Sequence, residues 1–387
     1  LAVFYRERNQ RGELVGGPMY YIKNGLGKKW QWLAMLYSLF GVLTVFGTGN
    51  ATQVNTITAA IDTPLLNYGI VSSGMVSTVN LIIGIVVAML VAMVLLGGIK
   101  RIGSVSEKLV PFMALFYIVL SVGVVALNFS RLPYVLESIV AGAFNPAAFT
   151  GGAIGSLFVS MQKGVSRGIF SNEAGLGTGS IAHACADVEE PAEQGMWGIF
   201  EVFADTMVVC TLTAFTVLSS GLIDLDTGIA VTEYAGVELT KANLVSTVFT
   251  MNFGWLGGAF VAIAIVLFAY STVLGWSHYG SKACEYLFGA KATKVYRIVF
   301  VLATFGGAVM GENLAWDIAD TLNGMMMIPN LIGVTVLSPV VYRITKNYVA
   351  RKILGRSEEP ILSSFPDIQA EAEAQQAQLP VQSPARE

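Results

Sequence analysis

The sequence is poor in charged residues, and two long stretches contain almost none. Only 13% of the 387 residues are Asp, Glu, Lys or Arg. Asp62 is the one charged residue between Lys29 and Lys100, and no charged residue lies between Lys241 and Lys282. A soluble domain keeps charge on its surface, whereas about 20 apolar residues are enough for a helix to cross a bilayer. These stretches therefore indicate a chain embedded in lipid.

Histidine and cysteine are also scarce, which argues against an enzyme or a metal-dependent protein. His183 and His278 are the only histidines, and no carboxylate cluster or Cys–His pair has a recognisable catalytic spacing. The cysteines form neither metal-ligand spacing nor an even disulfide set, so we interpret them as packing residues. They are Cys185, Cys210 and Cys284. We expect no catalytic residue, no cofactor and no nucleic-acid partner.

Hydropathy predicts an all-α polytopic membrane protein with eight spans. Long apolar runs argue against the ten-residue alternation of a barrel. The predicted spans are residues 30–61, 75–98, 109–128, 147–162, 196–222, 252–280, 298–315 and 321–342. Residues 1–29 are predicted as the end of a preceding span and a loop, residues 30–345 as the transmembrane core, and residues 346–387 as a tail. Because residues 1–6 resemble the last turn of an apolar helix, we expect a fragment that lacks earlier spans.

The distribution of positive charge predicts the orientation of these spans. With eight alternating spans, one side receives 21 of the 23 Lys and Arg residues, and the other side receives Arg131 and Lys241. Basic residues concentrate in cytoplasmic loops, so both ends are expected inside a plasma membrane. The cytoplasmic segments would be residues 1–29, 97–108, 163–195, 281–297 and the tail. From about residue 356 the tail is rich in Gln, Ala, Glu and Pro, and disorder is predicted.

Two groups of polar residues lie within or beside the first half of this membrane region. Asn50, Gln53 and their neighbours fall in an uncharged run, where amide side chains need partners. They could join helices together or contact a substrate. The second group, residues 163–180, contains five glycines, which disfavour an uninterrupted helix. It fits either a broken span with free backbone groups or a cytoplasmic loop.

Two more groups lie in the second half. Ser271 and Thr272 are adjacent hydroxyls, one turn before Trp276, in a long uncharged span. They could bond back to their own helix or coordinate a hard monovalent cation. Carboxylates also collect in the hinge before the last span, where surrounding water would explain them. That hinge contains Glu312, Asn313, Asp317 and Asp320.

Four short segments resemble the alanine/glycine:cation symporter family over residues 1 to about 345. They are Gly16–Ile22, Gly47–Gln53, Arg167–Gly177 and Phe268–Trp276. The resemblance implies a LeuT-type fold of two inverted repeats, with core helices three to ten present. It implies a secondary symporter that couples sodium entry to uptake of alanine or glycine by alternating access. Its partners would be the bilayer, the amino acid and sodium, with no assigned oligomeric state.

The resemblance also implies a set of site residues. The substrate would contact Gln53, Gly168, Phe170, Thr272 and Trp276, and the indole of Trp276 would limit the size of the amino acid. Sodium would bind the Phe268 carbonyl and the hydroxyls of Ser271 and Thr272. Residues 178–180 depart from the family pattern, which more often has Ser-Ala-Pro there, and this leaves a direct role for Thr178 open.

Two other classes of function remain as alternatives from the sequence. An ion channel would conduct far faster than a carrier, but the sequence lacks a ring of charge or a repeated carbonyl filter. An intramembrane enzyme would form product without an ion gradient. The residues alone do not choose between alanine and glycine, or between sodium and protons.

Overall fold

The computed structural model shows a helical protein. It describes residues 1–67, 69–95, 97–144, 155–234, 237–239 and 243–378. The helices are α1 (Pro18–Leu26), α2 (Gln31–Phe46), α3 (Thr52–Asn67), α4 (Val76–Leu95), α5 (Gly98–Leu127), α6 (Leu132–Phe144), α7 (Gly155–Asn172), α8 (Gly179–His183), α9 (Pro191–Val202), α10 (Thr211–Ser219), α11 (Leu244–Phe288), α12 (Ala292–Val309), α13 (Glu312–Val336), α14 (Ser338–Tyr348) and α15 (Pro366–Gln378).

Shorter elements connect or extend these helices. Within the described residues, three π-helical segments continue α2, α9 and α14: Gly47–Ala51, Phe203–Cys210 and Val349–Ile353. The 3₁₀ turns in the described ranges are Lys28–Trp30, Ser73–Met75 and Phe129–Arg131. Two antiparallel ribbons occur in the same ranges: β1 (Glu7–Arg8) with β2 (Leu14–Val15), and β3 (Glu233–Tyr234) with β4 (Val237–Glu238).

The described residues contain six helical segments long and apolar enough to cross a membrane, and up to seven if one bent pair counts as a span. The six are Lys28–Leu66, Val76–Leu95, Arg101–Leu127, Pro191–Ser219, Leu244–Phe288 and Ala292–Val309. The bent pair joins Glu312–Val336 to Ser338–Ile353 at 53°. These segments confirm the prediction of an all-α, multi-pass membrane protein, and they overlap seven of the eight predicted spans.

The fourth predicted span is displaced from the helix that the structure shows. Residues 147–154 of that prediction lie outside the described part of the chain, and α7 continues to Asn172, ten residues past the predicted end. The prediction followed the apolar segment alone, which ends before Lys163. In the structure, Lys163 and Arg167 instead line a cavity with the acidic hinge, and Arg167 Nη2 lies 2.6 Å from Asp320 Oδ2.

Close packing of small residues holds the central helices together. A Cβ added to Gly84 of α4 would lie 2.6 Å from Ala308 Cβ of α12. Likewise, a Cβ on Gly307 would approach the Ala51 Cα to 2.9 Å. Because lipid tails are as apolar as leucine, membrane helices associate through such close contacts and through interhelical hydrogen bonds. The many glycines therefore set the spacing of the bundle.

The longest helix, α11, bends near its start. Gly254 has φ 66° and ψ −160°, which only glycine adopts readily. A straight helix of 45 residues would measure about 68 Å, more than twice the hydrocarbon thickness. The bend separates the first ten residues from the remainder, which packs against α2 and α3. The predicted span, residues 252–280, begins at this bend.

The N-terminal segment packs on one end of the bundle. Tyr5 N donates to the Leu1 carbonyl at 3.0 Å, as in one helical turn, and Arg6 donates to the carbonyls of Ala186 and Val188. In the β1–β2 turn, the amide of Asn9 and, more weakly, the ammonium of Lys282 hold the pKa of the Glu13 carboxyl below its ordinary value. The contact of Glu13 with Lys282, at 3.4 Å, connects the segment to α11.

The tail differs from the expectation of disorder. Leu362, Ile368 and Ala372 are buried, and Ser364 N donates to the Phe4 carbonyl at 2.9 Å. The composition of this segment predicts too little order, because it does not show that the few apolar residues face the bundle together. Residues 379–387 lie outside the described part of the chain.

Candidate functional site

A fully buried π-helical segment brings the first polar group against α11. Gly49 lies so close to Trp276 that an added Cβ would stand 2.2 Å from the Trp276 Cβ. Thr48 Oγ1 donates to Asn323 Oδ1 of α13 at 3.0 Å, and Asn50 Nδ2 donates to the Phe300 carbonyl of α12 at 2.9 Å. The wider turn of the π-segment thus lets one short stretch contact three helices.

The amides of this group divide between two uses. Asn55 Nδ2 also donates across helices, to the Met310 carbonyl at 2.7 Å. Asn50 and Asn55 therefore follow the alternative of interhelical bonding. The half-buried Gln53 instead donates to the Thr48 carbonyl of its own chain segment at 3.1 Å. Its hydrogen bonds in the described structure join it to no other helix.

The helix that leads into the second group is interrupted at residues 173–178. α7 ends at Asn172, and α8 begins at Gly179. Glu173 and Gly177 have left-handed backbone, with φ 55° and 76°. The structure therefore shows a helix that is interrupted over these residues.

Neighbouring helices fix the backbone of this break. Asn330 Nδ2 donates to the Gly175 carbonyl at 2.9 Å, and the Tyr37 hydroxyl donates to the Leu176 carbonyl at 3.1 Å. Tyr21 donates in turn to Asn330 Oδ1. A side chain at Gly177 would collide with Asn330, at 2.7 Å. Carbonyls freed from the helix are thus held in place by α1, α2 and α13.

A carboxylate in the break contacts the tryptophan that the resemblance singled out. Trp276 Nε1 donates to Glu173 Oε1 at 2.7 Å, and Thr178 Oγ1 donates to Glu173 Oε2 at 2.5 Å. Trp276 is only 2% exposed. The break, α11 and the π-segment therefore meet at Trp276, with Glu173 on one side and Gly49 on another.

The predicted cation ligands lie one turn before Trp276 on α11. Ser271 Oγ and Thr272 Oγ1 both donate to the Phe268 carbonyl, at 2.8 and 3.0 Å. Three oxygen atoms are therefore gathered on one side of the helix. The same bonds are the ordinary back-bonding of hydroxyls in helices, so this geometry fits both alternatives.

Gly168 and Phe170 lie apart from this meeting point, in the regular part of α7. Phe170 packs on Trp316 with 5.0 Å between ring centroids, and the Arg167 guanidinium lies 4.5 Å above the Trp316 ring. Nothing lies within 4 Å of a Cβ added at Gly168. The structure therefore places both residues along the approach to the break.

Cavities lie on either side of the break along α13. One of about 320 Å³ is lined by Glu173, Ser180, His183, Glu201 and Asn330, among others. In it, His183 Nε2 lies 3.0 Å from Glu201 Oε2. Towards the other end are cavities of about 370 Å³, beside Phe170 and Asn323, and about 610 Å³, at the hinge. The acidic hinge residues thus border a cavity, and one of them, Asp320, pairs with Arg167.

Comparison with known proteins identifies the family. The model of the sodium:alanine symporter family matches residues 1–362. The chain belongs to this family. It is 41% identical to the sodium/alanine symporter AgcS of Methanococcus maripaludis, over 90% of this chain and 72% of that protein. It is 35% identical to the amino-acid carrier protein AlsT of Bacillus subtilis, over 92% of this chain and 70% of that protein.

A further relative carries a different amino acid in its name. The chain is 35% identical to the "Probable sodium/glutamine symporter GlnT" of Bacillus subtilis, over 92% of this chain and 69% of that protein. Sodium:alanine symporter family membership thus agrees with the resemblance found in the sequence motifs. The names of these relatives mention two different amino acids, alanine and glutamine.

Sequence reasoning singled out Trp276 and gave no role to Glu173. The signal was present, because a carboxylate in a segment proposed to break inside the membrane is a functional candidate by default. That rule was applied to Glu312, Asp317 and Asp320, whose position near water was more visible in the pattern. Gly49 was also missed, since its role depends on which helix faces it.

Proposed function

We propose that this protein is a symporter that couples sodium entry to uptake of a small neutral amino acid, alanine or glycine. The observation that carries the proposal is the meeting of the broken helix with Trp276, one turn from the three oxygens of residues 268–272. Broken spans and unwound backbone are where transporters of this kind bind substrate and ion. Family membership and the similarity to AgcS support the same function.

Sodium is assigned to the Phe268 carbonyl and the Ser271 and Thr272 hydroxyls. All three are neutral oxygen ligands, which suit a small hard monovalent cation without binding it too tightly to release. Both hydroxyls can turn their protons away from the cation, since a hydroxyl oxygen accepts as well as donates. Among the described residues no group of three His, Cys, Asp or Glu could hold a metal ion, so these oxygens are the better candidates.

The amino acid is assigned to the space between the break, Gln53 and the Thr272–Trp276 turn. Gln53 offers an amide from the helix that faces α11, and Thr272 lies beside the cation. The Trp276 indole would limit the side chain to the size of a methyl group. Gly168 and Phe170 are placed at the entrance to this space, on the helix that ends at the break.

Transport would proceed by alternating access in a LeuT-type arrangement of two inverted repeats. The cavities on the two sides of the break are the starting points for passages to each side of the membrane. Rocking of one group of helices against the other would close one passage and open the other. The ion gradient would supply about 2.3 kcal/mol per charge for each 100 mV, plus its concentration term.

Counterflow of labelled alanine in proteoliposomes tests this function. We expect exchange in sodium and little in potassium. Trp276→Ala and Thr272→Ala should both reduce exchange, and Thr272→Ala should raise the sodium concentration for half-maximal rate, with recovery in Thr272→Ser. Normal coupled exchange in both alanine variants would contradict the site assignment. Absence of exchange in the unaltered protein would contradict the function itself.

Thr63→Ala is the matched control for the threonine variant. Thr63 Oγ1 also donates to the carbonyl four residues earlier, Ala59, at 2.8 Å. The substitution therefore removes the same kind of bond from a half-buried helical threonine outside the proposed site. We expect its sodium dependence to match that of the unaltered protein.

A further inference from the structure

Among the described residues, the hydrogen bond between Trp276 and Glu173 is the only one that joins a tryptophan indole to a carboxylate. Both oxygens of this half-buried carboxylate accept hydrogen bonds, from the Trp276 indole at 2.7 Å and from Thr178 at 2.5 Å. The carboxylate thus connects the backbone break directly to one side chain of α11.

The backbone at Glu173 is in a conformation that L-residues avoid. Its φ of 55° is the only positive value at a non-glycine residue in the described ranges. Leu176 N and Gly177 N both donate to the Glu173 carbonyl at 3.0 Å, which holds this conformation. Strained backbone that surrounding bonds maintain is a feature of functional sites. Here it directs a carboxylate towards Trp276.

The indole has little freedom to take another position. A Cβ on Gly49 would lie 2.2 Å from the Trp276 Cβ and 2.6 Å from its Cγ, so the π-segment closes one side of the residue. The indole N–H is the ring's single polar group, and a buried N–H needs an acceptor. Glu173 supplies that acceptor. The ring is therefore fixed by packing on one side and by a hydrogen bond to Glu173 on the other.

We propose that Glu173 is a positioning residue that sets amino-acid selectivity by fixing the Trp276 indole. This inference rests on the proposed function, in which that indole limits the size of the side chain. Glu173 need not touch the amino acid. Without its bond, the ring gains alternative orientations and the pocket admits larger side chains.

The test measures selectivity as well as rate. The measurement is the inhibition of labelled alanine uptake by unlabelled glycine, valine and leucine. It is made on the unaltered protein and on four variants: Glu173→Gln, Glu173→Leu, Trp276→Phe and the Glu173→Leu/Trp276→Phe double variant. Glu173→Leu should reduce the preference for alanine over leucine about tenfold, the factor that corresponds to one hydrogen bond of about 1.4 kcal/mol. Glu173→Gln retains an acceptor and should retain most of the preference.

The double variant shows whether Glu173 acts through the indole. Trp276→Phe removes the N–H and should shift selectivity in the same direction as Glu173→Leu. The double variant should show no further shift, because both substitutions remove the same hydrogen bond. Ser171→Ala is the control at the same helix end. It removes the bonds of the exposed Ser171 hydroxyl to Asp205, at 2.7 and 2.9 Å, and should leave selectivity unchanged.

A second measurement tests the contact without transport. In a background with the other five tryptophans replaced by phenylalanine, acrylamide should quench Trp276 fluorescence more strongly after Glu173→Leu. Equal loss of alanine and leucine binding, additive effects in the double variant, or unchanged quenching would each overturn the inference. Absence of sodium-dependent alanine uptake in the unaltered protein would overturn the proposed function instead, while the quenching result would still decide the contact.

Discussion

At the scale of single residues, the hydrogen-bond partner of a buried polar side chain indicates whether the residue joins helices or can bind a ligand. Asn50 and Asn55 donate to carbonyls of neighbouring helices, so they are already used in holding the bundle. Ser271 and Thr272 donate only to a carbonyl of their own helix, a bond that a cation can replace. Residues whose bonds are local and exchangeable are the better candidates for binding.

Gly49→Ala should destabilise the protein. The added methyl group would overlap Trp276 and force the π-segment or α11 to move, at a cost of about 1–3 kcal/mol. Gly306→Ala is the control, because nothing lies within 4 Å of its Cβ and alanine favours a helix by about 0.5–1 kcal/mol. Thermal unfolding in detergent should show a lower midpoint for Gly49→Ala and an equal or higher one for Gly306→Ala. Equal midpoints for both would show that the contact is loose.

Individual polar residues are conspicuous in this sequence for a physical reason. Against an uncharged background, Gln53, Thr272 and Trp276 stand out, since polar atoms in lipid must have partners. The identity of the partner was not predictable. That Trp276 meets Glu173 and Gly49 depends on two distant helices packing against α11, and no local pattern records this.

At the scale of elements, interruptions of helices create the surfaces that matter. The glycine content of residues 163–180 correctly indicated that an uninterrupted helix was unlikely to fit there. The exact position of the break was not predictable, because Gly164 and Gly168 lie inside α7 and the break begins only at Glu173. Tertiary bonds from Asn330 and Tyr37 decide where the chain leaves the helix.

The tail offers a prediction at the same scale. Arg351 bonds both oxygens of Glu190 at 2.8 and 2.9 Å, and the two side chains are 10% and 4% exposed. Breaking such a buried pair costs about 3–5 kcal/mol, since it leaves one charge unpaired. Arg351→Ala should therefore release the segment that follows it. Proteinase K should then cut between residues 356 and 378 faster than in the unaltered protein.

Arg8→Ala is the matched control for this tail variant. Arg8 also pairs with a tail residue, Glu371, but the two side chains are 41% and 51% exposed. An exposed pair contributes about 1 kcal/mol or less. Proteolysis should therefore change little. If Arg8→Ala released the tail as readily as Arg351→Ala, burial of the Glu190 pair would not be what holds it.

At the scale of the whole molecule, the break lies between two sets of cavities along α13. On this helix one cavity is lined from Asp320 to Met327 and the other from Asn330 to Val334, so the two linings together span 14 residues, about 21 Å. Met327 and Asn330, at the facing ends of these two linings, both lie against Gly175 in the break. The helices that carry Asn330, Tyr37 and Trp276 all bond residues 173–178. Ligands bound there would therefore bias the whole bundle.

This arrangement predicts that sodium and alanine stabilise the protein jointly. A ligand at 100 times its Kd adds about 2.7 kcal/mol to the free energy of unfolding. If Thr272 lies beside both ligands, alanine should raise the unfolding temperature in sodium and much less in potassium. Reciprocity requires alanine to lower the Kd for sodium by the factor by which sodium lowers the Kd for alanine. Thr272→Ala should weaken this coupling, whereas Thr63→Ala should preserve it. Equal stabilisation by alanine in sodium and potassium would separate the two sites and exclude coupling through residues 268–276.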